Sequence, residues 1–360
     1  DALAAYGADV ETRICFTGQH ASLVDQVMTA FSMERHYELA LMKEGQSVYD
    51  VVQGGLFGVP EVIRDFRPDV VLVQGDTATV FAAALAGFFE GVKVGHVEAG
   101  LRSGDLRAPF PEEGLRRMTD AVSSFHFAPT RRAAERLTAE GVPASAISLT
   151  GNTVVDALQR VSELNRPFTS GTLREMVVNQ RRLVLLTAHR RESFGEPLRD
   201  LFGAVRTLAD EREDISVVYP VHPNPEVRVP AWELLAGHPR VHLVDPLDYF
   251  DLVGALRAAE LVMTDSGGIQ EEAPTFGSHV LVLRSVTERP EGIDAGVAEL
   301  VGTDPGLILE RAHAALDDRP DHSGINPYGD GHAGRRIADI LVSHLTGRPR
   351  ETDDWAGPQA

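Results

Sequence analysis

Polar side chains that could bind a ligand or move protons follow several apolar runs of this sequence, where predicted strands end. They are Asp76 after VVLVQ, His96 and Glu98 after VKVG, His189 to Glu192 after LVLLTA, His222 after VVYPV, and Asp265 to Gly268 after LVMT. Each one alone could be a helix cap or a buried histidine. In open parallel sheets, however, ligands bind beyond the carboxyl ends of the strands, so the recurrence predicts a ligand site at that edge.

The stretch from residue 97 to residue 117 concentrates charges of both signs. Its carboxylates and arginines are Glu98, Asp105, Glu112, Glu113, Arg102, Arg107, Arg116 and Arg117. One interpretation is a salt-bridged surface loop. The other is a site that binds an anionic substrate and offers it acids and bases, with Glu98 at the end of a strand and Glu112 at the start of the next helix.

The motif TDSGGIQEEAPTFG indicates an anion-binding turn. Gly267 and Gly268 allow close approach of a backbone, and the free N–H groups of a helix start after Ser266 would bind phosphate. A glutamate on the first turns, Glu272, could accept hydrogen bonds from a ribose diol. Arg289 in TERPEG could add positive charge. The alternative is a plain capped helix.

Other ligand motifs are absent or misplaced. The sequence contains no GxxxxGK[ST] phosphate loop, and its GxGxxG match at Gly329, Gly331 and Gly334 follows NPY rather than an apolar strand. HEXXH and paired Cys-x-x-Cys are absent, and the histidines lack zinc-site spacing. We therefore expect neither a metal nor a bound cofactor.

Composition limits the partners. The net charge of −19 argues against nucleic acid and against anionic membranes, which need a basic face. The longest apolar run, Phe81 to Phe89, is too short to span a bilayer, and no signal peptide is visible. The single cysteine, Cys15, fits a reducing compartment, so a cytoplasmic location is expected.

Apolar, β-branched runs alternate with helical patterns along the chain, which predicts an α/β fold with parallel sheets covered on both faces. The alternation lapses in a polar segment between residues 165 and 180. A chain of 360 residues is too long for one compact core. We therefore expect two Rossmann-like domains, residues 1–165 and 166–331. A last helix, 332–347, could pack on either half, and residues 348–360 are expected to form a disordered tail.

Several motifs together resemble one family, the non-hydrolysing UDP-N-acetylglucosamine 2-epimerases. They are GDTATVFAAALAGFF, GHVEAGLRSGD, PFPEE, GNTVVDAL, LTAHRRESFG, YPVHPNP, TDSGGIQEEAP, TERPEG and NPYGDG, and they extend in order from Thr17 to the last helix. The resemblance implies a glycosyltransferase-B-like fold with the active site in the cleft between two Rossmann-like domains. It further implies interconversion of UDP-N-acetylglucosamine and UDP-N-acetylmannosamine for cell-surface polysaccharide biosynthesis, without NAD or metal, by a homodimer.

The resemblance also assigns residues by position. Asp76, Glu98, Glu112 and His189 match the family's catalytic set, and Arg116 matches a supporting arginine. Ser266, Gly267 and Gly268 match the diphosphate loop, Glu272 the ribose ligand, and Arg289 a further nucleotide contact. The family often uses UDP-N-acetylglucosamine as an allosteric activator, and Gln19, Arg190 and His222 match that regulatory site, as does Glu112.

Some positions depart from the family pattern. Ser22, Gly45 and Leu247 stand where some members carry glutamine, arginine and glutamine, which puts allosteric activation in question. The family opens with a strand and a Gly-Thr-Arg-Pro-Glu loop, and this sequence begins after both. We expect either that residues upstream of Asp1 supply them or that the chain lacks its first, central strand and is impaired.

Other functions remain open from the sequence. One is a hydrolysing epimerase that releases UDP and free N-acetylmannosamine. Another is an epimerase of a modified sugar such as a 2,3-diacetamido uronate. A glycosyltransferase of the same fold and an inactive nucleotide-sugar binder are further alternatives, because fold does not fix function.

Overall fold

The computed structural model describes residues 1–18, 21–41, 43, 45–178, 181–318, 322 and 324–358. The strands are β1 Cys15–Phe16, β2 Tyr37–Glu38, β3 Val70–Gln74, β4 Lys93–Val97, β5 Phe125–Ala128, β6 Ile147–Leu149, β7 Arg182–Thr187, β8 Ile215–Pro220, β9 Val241–Val244, β10 Ala259–Thr264, β11 His279–Val282 and β12 Ala298–Leu300. The α-helices are α1 Ala21–Phe31, α2 Val48–Phe66, α3 Ala78–Phe89, α4 Glu112–Val122, α5 Arg131–Ala139, α6 Thr153–Glu163, α7 Gly171–Val178, α8 Glu196–Glu211, α9 Pro225–Leu235, α10 Tyr249–Ala258, α11 Gly267–Glu272, α12 Glu291–Asp294, α13 Pro305–Asp318 and α14 Ala333–Thr346. Short 3-10 helices cover Leu3–Asp9, Ala144–Ala146, Arg191–Ser193 and Ala273–Phe276.

The chain folds into two compact units, Asp1–Asp156 with Tyr328–Gly357, and Ala157–Pro327 with Pro358. The predicted boundaries after residues 165 and 331 therefore differ from the positions where the chain changes unit. The chain first passes from one unit to the other within helix α6, between Asp156 and Ala157. The polar segment after residue 165 therefore follows the end of a helix and does not mark the end of a unit.

The two segments in which the chain passes between units lie side by side, and glycines allow their close approach. The N–H of Asn152 donates to the carbonyl of Tyr328 at 2.6 Å. A Cβ on Gly329 would lie 3.2 Å from the backbone nitrogen of Asn152, and one on Gly334 would lie 3.2 Å from Asp156 Oδ1. Asp156 accepts the N–H groups of Ala333 and Gly334, the first of α14. The GxGxxG match is thus part of this packing.

The first unit contains a four-stranded parallel sheet in the order β3-β4-β5-β6 and a two-stranded pair, β1-β2. Helix α14 packs on this sheet, where Ile337, Ile340 and Leu341 form a buried cluster with Val97 and Phe127. The last predicted helix therefore belongs to the first unit, because its apolar face covers strands β4 and β5.

The second unit contains a six-stranded parallel sheet in the order β12-β11-β10-β7-β8-β9. Alternate residues of β7 enter different cores: Val184 and Leu186 pack with helices α8 and α9 on one face, whereas Leu183 and Leu185 pack with α7 and α10 on the other. The sheet is therefore covered on both faces, as its near-continuous apolar strands require.

Helix α2 was not predicted, since its sequence carries Gly54, Gly55, Gly58 and Pro60. Its start is fixed by a capping box in which Ser47 and Asp50 exchange hydrogen bonds. A Cβ on Gly55 would lie 2.6 Å from the Cβ of Ala82 on α3. The glycine therefore permits close contact of the two helices, which outweighs its low helix propensity.

The expected disorder of the tail is wrong for residues 348–358. Asp339 on α14 accepts the N–H groups of Glu351 and Thr352 and the hydroxyl of Thr352, each at 2.8 Å. Trp355 is buried, and its N–H donates to the carbonyl of Leu149 on the edge strand β6 at 2.8 Å. The polar composition of the tail did not indicate these contacts, because the buried carboxylate that accepts its N–H groups lies on helix α14.

None of the described helices has the length and hydropathy that a membrane span requires.

Candidate functional site

In the first unit, a tight turn after β3 carries Asp76. Gly75 has a φ of +83°, and Thr77 caps α3 by accepting the N–H of Val80. The Asp76 carboxylate forms an ion pair with the buried guanidinium of Arg116. The turn therefore presents a partly exposed carboxylate that a buried cation holds in place.

Glu98 follows β4 with a φ of +69°, a left-handed conformation that a residue other than glycine seldom adopts. The N–H groups of Glu98 and Ala99 both donate to the carbonyl of Phe127 at 3.1 Å, which holds this turn against β5. A Cβ on Gly75 would lie 3.7 Å from Glu98 Oε2. The turns after β3 and β4 thus bring the segments of Asp76 and Glu98 together.

Helix α4 supplies Glu112, Glu113 and Arg116. Glu113 is fully buried, accepts the N–H groups of Ser103 and Gly104, and lies 3.2 Å from Arg116 Nη1. Arg116 therefore bridges Asp76 and Glu113, while Glu113 also anchors the loop that precedes the helix.

Glu112 is the first residue of α4, one turn before Arg116, and is partly exposed. Within the described residues its side chain has no hydrogen-bonding or ionic partner. Of the four predicted catalytic residues of this unit, Asp76 and Arg116 form an ion pair. Glu98 lies just after β4, and Glu112 lies at the start of α4.

In the second unit, His189 follows β7 and is held by Asp265 from the neighbouring strand β10. Asp265 Oδ2 accepts the N–H groups of His189 and Arg190 at 2.6 and 2.7 Å, and Oδ1 lies 3.4 Å from His189 Nδ1. Burial lowers the pKa of His189. The charge of Asp265 acts to raise this pKa, but the nearby Arg190 and His222 lower it further, and the net effect is a lowered pKa. The imidazole is accordingly biased towards its neutral form.

The Ser-Gly-Gly turn lies at the start of α11. Ser266 is the N-cap residue but its side chain caps nothing, and its N–H donates to Thr264 Oγ1 at 2.9 Å. A Cβ on Gly267 would lie 2.6 Å from Arg289 Nη1, whereas the nearest atom to one on Gly268 would be Glu272 Oε1 at 3.5 Å. Gly267 is therefore required by the guanidinium that packs on it.

Arg289 lies against this turn as part of an acidic network. Its Nη1 donates to Glu288 Oε1 at 2.6 Å, and its Nε bonds to Glu271. Burial alone would raise the pKa of Glu288, but Arg289 and Arg284 outweigh burial and lower it. Arg289 thus packs beside the predicted phosphate loop with its charge balanced by glutamates, an arrangement that the sequence pattern did not indicate.

Glu272 at the end of α11 has a buried oxygen, Oε2, with no hydrogen-bond partner among the described residues. Burial, with a smaller contribution from the charge of Glu271, raises the pKa of Glu272 to about 7. The pKa of Tyr249 rises to about 12, mainly through its own burial and also through Glu272. A buried oxygen without a partner fits a group that hydrogen-bonds a ligand.

The residues matched to the regulatory site are only partly described. Gln19 lies outside the described residues. Arg190 follows His189 and shares its backbone anchor on Asp265, and the ring of His222 stacks on His189 with centroids 5.4 Å apart. Arg190 and His222 therefore both adjoin the predicted catalytic histidine.

Three buried residues hydrogen-bond the segments that carry the predicted catalytic residues, although the sequence analysis assigned them no role. They are His96, Asp120 and Asp265. Asp265 follows β10 as predicted, whereas His96, predicted to follow a strand, lies within β4. Neither could be given a role because its partners lie on neighbouring elements. Asp120 lies on the buried face of α4, and a carboxylate at such a position is the signal that could have identified it. Among the described residues, no three His, Cys, Asp or Glu side chains cluster so as to hold a metal ion.

Known proteins resemble this chain over nearly its whole length. A family model described as UDP-N-acetylglucosamine 2-epimerase matches residues 3–342. The UDP-N-acetylglucosamine 2-epimerase of Bacillus subtilis is 42% identical over 353 residues, which cover 97% of this chain and 92% of the relative.

Solved structures are similarly close. An S. aureus protein in a co-structure with UDP superimposes with a TM-score of 0.88 at 39% identity, covering 99% of this chain and 94% of that one. The Neisseria meningitidis UDP-GlcNAc 2-epimerase bound to UDP-GlcNAc gives 0.85 at 37% identity, covering 96% and 94%. The two-unit architecture is glycosyltransferase-B-like. The chain belongs to the UDP-N-acetylglucosamine 2-epimerase family.

Proposed function

We propose that this chain interconverts UDP-N-acetylglucosamine and UDP-N-acetylmannosamine by inverting the configuration at C2 of the sugar. The observation that carries the proposal is the pair of turns after β3 and β4, which bring the segments of Asp76 and Glu98 together, with Asp76 paired to a buried arginine. Carboxylates on adjoining turns supply proton acceptors and donors near one carbon atom.

The second unit supplies the nucleotide contacts in this proposal. The first N–H groups of α11, at Gly267 and Gly268, have no acceptor within the helix and would bind the diphosphate. The buried Oε2 of Glu272 would accept a hydrogen bond from the ribose hydroxyls. Arg289, held by Glu271 and Glu288, positions the turn by packing against Gly267 rather than serving as a free cation.

The reaction needs an unusual route because C2 of the sugar has no adjacent carbonyl group to stabilise a carbanion. A carboxylate removes the C2 proton while the C1–O bond to UDP breaks, which leaves a C1=C2 double bond in 2-acetamidoglucal. UDP then adds back to C1 through the same oxygen, and a proton reaches C2 on the opposite face. The reaction is balanced without an oxidant, since UDP and one proton leave and return.

The roles divide among the predicted catalytic residues. Glu98 and Glu112 act as the acid/base pair on the two faces of C2, and Asp76, tied to Arg116, orients the sugar. His189 holds the departing diphosphate or protonates it. A hydrogen-bond donor at that position stabilises the negative charge that develops on UDP as the C1–O bond breaks.

The test is incubation of the purified protein with UDP-N-acetylglucosamine and identification of the products by proton and phosphorus NMR. We expect UDP-N-acetylmannosamine to accumulate to an equilibrium mixture with little free UDP. Release of UDP in step with free N-acetylmannosamine would show a hydrolysing enzyme instead. No reaction here, with turnover of a 2,3-diacetamido uronate, would show a different sugar specificity. Turnover that needs an acceptor would show a glycosyltransferase, and binding without turnover would show an inactive binder.

We also propose that Arg190 and His222 couple a second substrate molecule to catalysis, since both adjoin His189. The expected sign is a sigmoidal dependence of rate on UDP-N-acetylglucosamine that becomes hyperbolic in Arg190→Ala. A hyperbolic curve for the unaltered chain would contradict the coupling.

The homodimer that the resemblance implies is part of the same proposal. Light scattering should give about twice the 39.0 kDa chain mass. A mass equal to that of one chain at micromolar concentration would contradict it.

A further inference from the structure

The turn that carries Asp76 is fixed by hydrogen bonds on both sides of Gly75. The N–H of Gly75 donates to the carbonyl of Val97 at 3.2 Å, and the carbonyl of Gly75 accepts a hydrogen bond from His96 Nε2 at 2.8 Å. Because a carbonyl oxygen only accepts, Nε2 of His96 must carry a proton. The backbone immediately before Asp76 therefore depends on this ring.

The other nitrogen of His96 is equally committed. Nδ1 lies 2.6 Å from Asp120 Oδ1, and both side chains are at most 3% exposed. Burial alone would raise the pKa of Asp120, but the hydrogen bond from His96 and the charge of Arg102 outweigh burial and lower it. Asp120 is thus a carboxylate, so Nδ1 donates as well.

Asp120 also reaches the second turn. Its Oδ2 accepts the N–H of Gly100, two residues after Glu98, at 3.3 Å, and it pairs with Arg102 Nη2 at 2.7 Å. Arg102 is held in turn by Glu140. One buried carboxylate therefore contacts the Glu98 turn directly and the Asp76 turn through His96.

We propose that His96 and Asp120 are positioning residues that set the distance between Asp76 and Glu98, and so the alignment of these carboxylates on the sugar. The proposal deepens, and rests on, the proposed epimerase function. The pair itself is buried, so it acts through the backbone of the two turns.

The strongest alternative is that this network only stabilises the unit. His126 provides the matched control, because it is a buried histidine paired with His96 across β4 and β5. Its ring nitrogens contact the carbonyls of Asp120 and Ala146 and do not reach the Asp76 turn. A stability role predicts equal consequences for the two histidines, whereas a positioning role separates them.

The experiment compares His96→Phe, His96→Gln and His126→Phe with the unaltered full chain. For His96→Phe we expect kcat to fall about 10- to 100-fold, because small misplacements of catalytic groups are costly. The Kd for UDP should stay within about twofold, since unit-two contacts are untouched. His96→Gln, whose amide can still donate to Gly75, should recover part of kcat. His126→Phe should lower the melting temperature but keep kcat per folded molecule.

Hydrogen exchange of the segment around Gly75 gives a readout that needs no activity. It should quicken about tenfold in His96→Phe and stay unchanged in His126→Phe. Wild-type kcat in a folded His96→Phe, or an equal loss of UDP affinity, would overturn the proposal. If neither His96 variant folds, Asp120→Asn tests the proposal by the same two measurements. An unchanged kcat together with unchanged hydrogen exchange around Gly75 would then overturn it.

A failure of the proposed function is distinguishable from a failure of this inference. If the unaltered chain does not epimerise UDP-N-acetylglucosamine, the function is wrong. The exchange comparison still decides whether His96 holds the turn.

Discussion

Asp265 hydrogen-bonds the backbone of His189 and faces its ring. One carboxylate oxygen accepts the N–H of His189 at 2.6 Å, and the other lies 3.4 Å from ring Nδ1. Asp265 is buried at the end of β10, whereas His189 is partly exposed at the end of the adjacent β7. The partnership therefore fixes a catalytic candidate from the neighbouring strand and directs Nε2 away from the carboxylate.

Replacing Asp265 by Asn should reduce turnover more than UDP affinity. The amide keeps the size of the side chain but removes the charge that faces Nδ1 and that strengthens the backbone hydrogen bonds from His189 and Arg190. Hydrogen bonds to charged groups contribute about 1.5–3 kcal/mol. We expect kcat to fall about 10- to 100-fold, by the conversion of about 1.4 kcal/mol to a tenfold change. Steady-state kinetics with calorimetric UDP titration checks this, with Asp245→Asn as the surface control. An unaltered kcat would show that Asp265 only anchors the backbone.

Gly267→Ala should destabilise the folded protein, because the added Cβ would lie 2.6 Å from Arg289 Nη1 and 2.8 Å from its Cζ. The guanidinium must move away from Glu271 or Glu288, and we expect a loss of about 1–3 kcal/mol in the free energy of unfolding. Gly268→Ala is the matched control, since its nearest contact is 3.5 Å. Urea unfolding measures both, and equal losses would contradict the close packing of Arg289 on Gly267.

Glu272→Gln should change how stability depends on pH. The pKa of Glu272 rises from 4.5 to about 7 on folding, so the folded protein holds this proton more tightly than the unfolded chain does. The contribution to stability is full below pH 4.5 and is lost as pH rises through about 7. Gln cannot ionise, so the variant should match wild type near pH 4.5 and exceed it at pH 8 by up to about 3 kcal/mol.

Urea unfolding at both pH values measures that difference, with exposed Glu310→Gln as the control. The proposed contact of Glu272 with the ribose predicts a second measurable effect, on UDP binding. Ribose hydroxyls donate to an ionised carboxylate, so UDP binding at pH 6 should release a proton, seen as a buffer-dependent binding enthalpy. The same proton release in Glu272→Gln would remove Glu272 from the nucleotide site.

Glu98→Gln and Glu112→Gln should each remove most turnover while leaving UDP affinity largely intact, because in the proposed mechanism both act on C2 rather than on the nucleotide. A loss of about 10²- to 10⁴-fold in kcat is the range for removing a general acid or base. Glu113→Gln offers a contrast: its buried carboxylate anchors Ser103 and Gly104, so unfolding should become easier. Strongly weakened UDP binding in either Glu98→Gln or Glu112→Gln would show that its role is misassigned.

The sequence predicted the α/β class and the strand-end positions because parallel strands are apolar and end in polar turns. It could not predict the pairing of His189 with Asp265, which depends on β7 and β10 being neighbours in the sheet. The His96–Asp120 contact was hidden for the same reason, since α4 and β4 meet only in the folded unit. Helix α2 was missed because its glycines make sense only against α3. The paired state of Arg289 likewise depends on which glutamates the fold brings to it.

In the proposed mechanism the C2 proton leaves and a solvent-exchangeable proton returns. The direct measurement is incubation of the protein with UDP-N-acetylglucosamine in D2O, followed by NMR and mass spectrometry of both epimers. The mechanism predicts one deuterium at C2 in UDP-N-acetylmannosamine and, as equilibrium is approached, in recovered UDP-N-acetylglucosamine. Formation of UDP-N-acetylmannosamine that retains its original C2 hydrogen, or no formation of it at all, would contradict the account.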